Sequence, residues 1–483
     1  MIDKNRWHQK LFLGEWQATL NPHFDVTDKA TGKVLSSLAL ATPTDVSAAC
    51  EEAIQQQIAW CALAYEARAA IFYKAAELIE IYKETLTFWM IRETGSIRMK
   101  VEEELRLGKN ILYAAGAMLT APQGALLPNH DTLLNCMRRC PLGVIGLITP
   151  FNFPFILAIR VIAPALATGN AVVLKPDLQT PLSGGILLAY LLEEAGLPKG
   201  LLHVLPGGVD VGEALCVHPN VPMICFTGST QTGRRVNELC APHLKKVLLE
   251  LGGKNSLIIL EDADIELAIS NAAFGAWLHQ GQICMTSGRI LVSEKIADRV
   301  LAGLVEKAQT LVVGDPTQAN VALGPIINQK QIQQIDALVQ ASMKQGARLK
   351  AGGTFEGLFY RPTVLDNVTP GMPVFEQEIF GPVACITRFK TEKEALELAN
   401  QTEYGLSGSI IAKDVARALA LGYQLKVGSL HINDQTVNDA AYAPLGGRGI
   451  SGNGGRIGGL ANWDNFTQWQ WITIKDKPLQ YLF

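Results

Sequence analysis

Apolar positions recur at helical spacing in the early part of the chain. Val46, Ala49, Cys50 and Ala53 lie three or four apart, with Thr42 where a cap belongs and Pro43 in the first turn, so a helix is expected to begin there. A longer helix is expected over 66–93, with Gly95 as its stop, and the stretch 43–121 reads as helical throughout.

Beyond Pro141 the texture changes. The short apolar runs LGVIGLIT, NAVVLK, LLHVL, MICFTG, KKVLLEL and NSLIIL alternate with helical stretches and are separated by Gly and Pro. Runs of that kind are parallel strands buried on both faces and joined by crossover helices, so a doubly wound sheet is expected over about 142–252. A second α/β region follows Gly252 and Gly253: a helical run at 264–279, a polar loop, the strand RILVS, a helix near 295–312, and further strands near 384–389 and 428–432. At the end, WDNFTQWQWITI alternates bulky apolar with polar residues, as an exposed strand does, and is expected to pair with another segment or another subunit. No repeat of 20–50 residues and no low-complexity segment interrupts this α/β pattern.

Composition narrows the classes of function. A length of 483 residues suggests two or three domains. With 42 Lys and Arg against 45 Asp and Glu, the net charge of -3 offers no broad cationic field, so neither nucleic acid nor an acidic membrane is an expected partner. The opening MIDKNRWHQKLFLGEW lacks a cationic start followed by an apolar run, so no secretory signal is expected. The most apolar stretch, 151–174, is broken by Pro154, Arg160, Pro164, Gly169 and Asn170, which disfavours a span needing roughly 20 apolar residues. Nine cysteines stand singly with no Cys-x-x-Cys pair, and Cys136 and Cys140 have no partners at ligand spacing, so a reducing cytoplasm and no structural metal are expected.

Several residues could carry chemistry, and each has a plainer alternative. MICFTG runs into TGSTQTG and the helical RRVNELC, so Gly228, Ser229 and Gly233 could present backbone N–H groups to an anion or simply make a tight turn. Cys284, in the polar loop HQGQICMTSGR, is either an accessible nucleophile or a small buried hydrophobe. Glu250 interrupts the apolar VLLELGG, where a desolvated carboxylate can serve as a base near neutral pH or cap nearby amides. Asn152 in TPFNFPF is a turn former or an amide donor to a developing oxyanion. Lys175 closes NAVVLKP at the end of a parallel strand, either merely solvated or beside a nucleotide. His203, His279 and His431 read as packing or surface residues.

Order and spacing bring these residues together. TPFNFP, NAVVLKP, FTGSTQTG, LELGGKN, GQICMTSGR, EIFGPV and PLGGRGISG follow one another, with Cys284 34 positions after Glu250, and over essentially its whole length the chain resembles the aldehyde dehydrogenase superfamily. The resemblance implies an NAD(P)-binding domain over 1–121 and 142–252, a catalytic domain over 253–463, and oligomerisation strands at 122–141 and 464–483, assembling a homodimer or homotetramer.

It further implies that Cys284 is the nucleophile, Glu250 the general base, and Asn152 with the backbone N–H of Cys284 the oxyanion hole. Lys175 and Glu378 correspond to residues that hold the cofactor riboses, Gly228, Ser229 and Gly233 to the pyrophosphate turn, Thr149 and Pro150 to the adjoining cofactor wall, and Phe380 to the nicotinamide end. KPDLQTPLSGG, LLHVLPGG and HINDQTVND look like benzaldehyde dehydrogenases and related aromatic-aldehyde enzymes, with Phe153, Tyr442 and Leu445 as candidate pocket residues. Leu178 stands where many NAD-preferring members have Glu, so NAD is the expected cofactor with NADP as a second candidate, and Leu445 replaces a usual Phe. The expected substrate is a small-molecule aldehyde. The alternatives are a CoA-acylating member, whose relatives generally lack the base at Glu250, and a non-catalytic nucleotide-binding scaffold.

Overall fold

The computed structural model describes residues 3–129 and 132–483. Two seven-stranded sheets and a three-stranded one carry the architecture. The first runs, edge to edge, Lys246–Glu250, Met223–Thr227, Val144–Ile148, Ala171–Lys175, Leu202–Val204, Lys10–Leu13 and Trp16–Ala18. Its first five strands are parallel, and the last two join antiparallel. Val144, Ile145, Leu147, Val172, Val173 and Leu174 are wholly buried, which explains why these strands read as unbroken apolar runs. Helix Pro154–Ala167 is buried on nearly every side, as its all-round apolarity requires.

From Val144–Ile148 the chain winds outward through Ala171–Lys175 and Leu202–Val204. It then returns to lay Met223–Thr227 and Lys246–Glu250 on the opposite side. The carboxyl ends of Val144–Ile148 and Met223–Thr227 therefore flank a topological switch point, where open α/β sheets bind ligands.

The second sheet runs Arg348–Ala351, Thr363–Asp366, Val383–Phe389, Arg289–Ser293, Ser256–Ile259, Ser407–Ile411 and Ser429–Ile432, parallel except at its first strand. In the third, Thr467–Ile474 pairs antiparallel with Leu134–Pro141, from Thr467 opposite Pro141 to Ile474 opposite Leu134, and Gly124–Leu126 lines the far edge. The strand expected at the C-terminus begins only at Thr467. The preceding WDNF belongs to helix Ala461–Phe466, whose Trp463 and Phe466 turn into the core.

The early helices begin where expected. At Pro43–Ala62 the Thr42 backbone N–H donates to the Asp45 carboxylate at 2.8 Å in a capping box. The run expected over 66–93 is two helices, Tyr65–Ile81 and Lys83–Thr94, parted at Tyr82. Gly95 ends the second with φ +68, and a Cβ there would come within 2.8 Å of Pro325, so both backbone angle and space call for glycine. The strands before residue 43 carry no clear alternation. Lys10–Leu13 and Trp16–Ala18 form the edge of the first sheet, while His23–Thr27 and Val34–Ala39 form a separate hairpin.

No helix among the described residues is long and apolar enough to cross a membrane, and no group of three or more His, Cys, Asp or Glu among them could hold a metal ion.

Candidate active site

Cys284 lies in the loop between helix Ile265–Trp277 and strand Arg289–Ser293. The helical run expected to reach His279 stops short of it, because His279, Gln280 and Gly281 turn left-handed with φ of 49, 55 and 67°. Hydrogen bonds hold this costly turn. Gln280 Nε2 donates to the carbonyls of Gly95 and Pro325, both at 2.9 Å, and the Ile327 N–H donates to Gln282 Oε1 at 2.9 Å. Asn255 Nδ2 donates to the carbonyls of Cys284 at 2.8 Å and Thr286 at 2.9 Å, fixing the backbone on both sides of Met285. Gly253 packs so closely beneath that a Cβ would lie 2.4 Å from the Cys284 carbonyl oxygen.

The thiol is partly buried, and its pKa is pushed up to about 12, first by burial and then by the carboxylates of Glu378 and Glu250, while the backbone N–H groups of Met285 and Cys284 oppose the rise. At neutral pH the resting sulfur is therefore a thiol, and it needs a base or an arriving positive charge to become a nucleophile.

Glu250 ends strand Lys246–Glu250, and its buried Oε1 has no hydrogen-bond partner. Burial raises its pKa to about 8, against the pull of Arg456 and Arg160 and with a further push from Asp439. Glu250 and Cys284 line one cavity of about 30 Å³ together with Arg160, Leu445 and Ile457.

Asn152 follows strand Val144–Ile148 and is buried. Its Nδ2 donates to the Gln282 carbonyl at 2.9 Å, which ties the first sheet to the Cys284 loop and leaves its second N–H for another acceptor. The backbone of Asn152 is held from below. Lys100 Nζ donates to its carbonyl at 2.8 Å and to Glu104 at 2.5 Å, and Glu104 Oε1 accepts from the N–H groups of Phe155 at 3.1 Å and Ile156 at 3.2 Å, at the start of helix Pro154–Ala167.

The switch-point crevice has the donors that a dinucleotide requires. Thr149 Oγ1 is buried without a partner, directly before Pro150. Lys175 ends its strand beside Asp177 and Asp210, and its pKa is lowered by burial against those two carboxylates. Ser229 caps helix Thr230–Cys240 directly after strand Met223–Thr227, which places the first turn of that helix, with its free N–H groups, at the switch point. Gly228 and Gly233 also serve packing: a Cβ would lie 2.6 Å from the Phe226 ring at the first and 2.5 Å from Leu251 at the second.

Glu378 meets the end of the Glu250 strand, accepting from the Gly253 N–H at 3.1 Å, and burial raises its pKa to about 7. Phe380 takes φ +52, a strained angle for a side-chain-bearing residue, held by Gln331 Nε2 donating to its carbonyl at 3.1 Å, and its ring meets Phe151 edge-on at 5.8 Å. An orphaned hydroxyl, a lysine and an open helix terminus at one switch point fit a dinucleotide cofactor.

The apolar wall around Cys284 consists of Ile283, Met285 and Leu406 with Phe153, Leu278, Val437 and Leu445. Tyr442, expected in this pocket, is not part of it. It is 82% exposed, in an irregular surface loop whose Ala441 and Leu445 are the side chains that pack on the core. Arg160, which lines the cavity, and its ion-pair partner Asp439 are not singled out by the sequence. They lie 279 positions apart, and a lone Arg in an otherwise apolar helix was the only signal.

A cysteine and a buried carboxylate lining one cavity, beside a nucleotide crevice, are the build of a dinucleotide-dependent oxidoreductase that works through a covalent intermediate. The Aldehyde dehydrogenase family profile matches residues 16–472, and the chain belongs to that family. It is 47% identical to a vanillin dehydrogenase of an Amycolatopsis species over 100% of this chain and 99% of that protein. It is 46% identical to a benzaldehyde dehydrogenase (NAD⁺) of Pseudomonas putida over 99% of this chain and 98% of that one. The crystal structure of betaine aldehyde dehydrogenase from Staphylococcus aureus in complex with NAD⁺ superposes with a TM-score of 0.95 at 31% identity, covering 99% of this chain and 96% of that one.

Proposed function

We propose that the protein oxidises an aromatic aldehyde to its carboxylate with NAD, using Cys284, Glu250 and Asn152. The observation that carries the reading is the convergence of a nucleophile and a buried, unpartnered carboxylate in one cavity. Cys284 Sγ attacks the aldehyde carbon and its proton passes to Glu250 or solvent. The carbonyl oxygen becomes an oxyanion held by the second N–H of Asn152 and the backbone N–H of Cys284. A bound NAD would supply the acceptor for the hydride that leaves that carbon. A thioester on Cys284 remains. Once any proton on Glu250 has passed to solvent, its carboxylate takes a proton from water as the hydroxide adds to the thioester carbon; the adduct then collapses with cleavage of the C–S bond, Glu250 returns that proton to the departing sulfur, and the acid is released.

Thr149, Lys175, Ser229 and Glu378 would hold the cofactor, with Pro150, Gly228 and Gly233 shaping the turns around it and Phe380 closing the nicotinamide end. NAD is favoured over NADP because Asp177 and Asp210 flank Lys175 and repel a 2′-phosphate. The sheet division supports a nucleotide-binding part over 1–121 and 142–252, a catalytic part over 253–463, and subunit pairing in a dimer or tetramer through 122–141 and 464–483, where Trp469 and Trp471 stand exposed. Nine free cysteines fit a reducing cytoplasm.

The identities with vanillin and benzaldehyde dehydrogenases support the aromatic substrate, as does an apolar wall on which a ring gains burial that a two-carbon aldehyde cannot. Initial rates of NADH and NADPH production across aromatic and aliphatic aldehydes test this. Benzaldehyde is expected to exceed acetaldehyde in kcat/KM by more than about tenfold. Equal values would remove the aromatic assignment and leave the family standing.

A further inference from the structure

Four buried polar atoms have no hydrogen-bond partner on two residues that line the Glu250 cavity and on the ion-pair partner of one of them: Glu250 Oε1, Arg160 Nε and Nη1, and Asp439 Oδ1. Buried polar atoms of native proteins are paired almost without exception, so a cluster of unpaired ones marks a place where polarity is kept for use. The cavity lined by Glu250 and Arg160, about 30 Å³, has room for one or two waters.

Arg160 stands alone as a charge in helix Pro154–Ala167, and its Nη2 donates to the Asp439 carboxylate. The Arg160 side chain is buried and that of Asp439 mostly so. The guanidinium has been given space: Gly458 has φ +110, and a Cβ there would lie 2.1 Å from the Ala443 carbonyl oxygen and 3.3 Å from Arg160 Nη1. Arg456 is committed elsewhere, its Nη1 donating to the carbonyls of Gly447 at 3.0 Å and Gly455 at 2.7 Å. A buried ion pair is weak support for stability, since an apolar pair of similar shape packs as well. This one stands where a water must be activated.

We propose that Arg160 and Asp439 are positioning residues for thioester hydrolysis, Arg160 presenting its unpaired edge to the Glu250 carboxylate and the water it activates, and Asp439 fixing the orientation of the guanidinium. The inference rests on Glu250 being the general base. The charged and titratable groups that face Glu250 are Arg160 from the helix after Asn152, Asp439 from the loop after Ser429–Ile432, Arg456 from the loop before Ile457, Cys284, and Cys225 on the neighbouring strand. Of these, Arg160 and Arg456 favour the carboxylate and Asp439 opposes it.

Opposite responses follow from two variants. Asp439→Asn leaves the guanidinium uncompensated beside Glu250, so the acid-side midpoint of the hydrolysis rate against pH moves down by about one pH unit. The double variant Arg160→Gln/Asp439→Asn removes the net positive influence without stranding a buried charge, so the midpoint moves up and hydrolysis at pH 7 slows by about tenfold. Arg160→Lys, which keeps the charge, holds the midpoint near the parent value.

The rate is read as steady-state NADH production after the first-turnover burst, with benzaldehyde and NAD, and KM for the aldehyde is followed alongside. A merely structural pair would give shifts of the same sign, or none, and either result overturns the proposal. Loss of thermal stability by circular dichroism in all three variants, with unmoved midpoints in the surviving protein, overturns it too. Glu250→Gln in the same assay separates the levels: slow hydrolysis in that variant with unmoved midpoints in the others removes only this inference, while unchanged hydrolysis in that variant removes the general-base reading beneath it.

Discussion

Glu250→Gln replaces a carboxylate by an amide of the same shape and so removes the base while keeping the packing at the end of its strand. In the parent enzyme, burial favours the neutral acid and raises the pKa of Glu250 to about 8, so the base form is lost as pH falls through that value. About one-tenth of the enzyme carries the carboxylate at pH 7 and about nine-tenths at pH 9, and a steady state limited by thioester hydrolysis rises about tenfold across that interval. Glu250→Gln should lose on the order of 10²–10⁴ in this rate and flatten its pH dependence, while the NADH burst of the first turnover persists.

Stopped-flow absorbance of NADH separates the two phases. The burst reports attack by Cys284, whose own high pKa makes that phase quicken with pH as well, and the steady phase reports hydrolysis. A steady-state rate unchanged by the substitution, or a pH dependence identical to that of the parent, would refute the reasoning.

Two other perturbations bear on the same site. Asn152→Ala removes an oxyanion donor and should lower kcat by about 10²–10³ in NADH production, whereas a loss of tenfold or less would leave the work to backbone donors. Asp177→Asn removes a carboxylate beside Lys175 and should raise kcat/KM for NADP by about three- to tenfold with NAD little changed, and an unchanged NADP value would place the discrimination elsewhere.

The parallel strands were legible in the sequence because burial on both faces leaves unbroken apolar runs such as AVVLK and MICFT, and the helix at Pro43 because its cap is local. Lys10–Leu13 and Trp16–Ala18 were not, since short edge strands mix charged and aromatic residues and gain their order from partners far along the chain, such as Val204 opposite Phe12. Cys284, Glu250 and Asn152 could be named from the order of motifs, but chain order carries no hint that Asn152 would donate to the carbonyl of Gln282, 130 positions away. The pairing of Arg160 with Asp439, 279 positions away, was hidden for the same reason. Tyr442 was misjudged because nearness in sequence to Leu445 says nothing about which way a loop side chain turns.

Covalent catalysis at Cys284 is the claim on which the rest depends, and trapping the acyl-enzyme tests it most directly. Glu250→Gln would be mixed with benzaldehyde and NAD, quenched in acid within the burst, digested and mapped by mass spectrometry. The account predicts one benzoyl group on the peptide carrying Cys284, only when aldehyde and NAD are both present. An acyl group on another cysteine, or none during a full NADH burst, would contradict it.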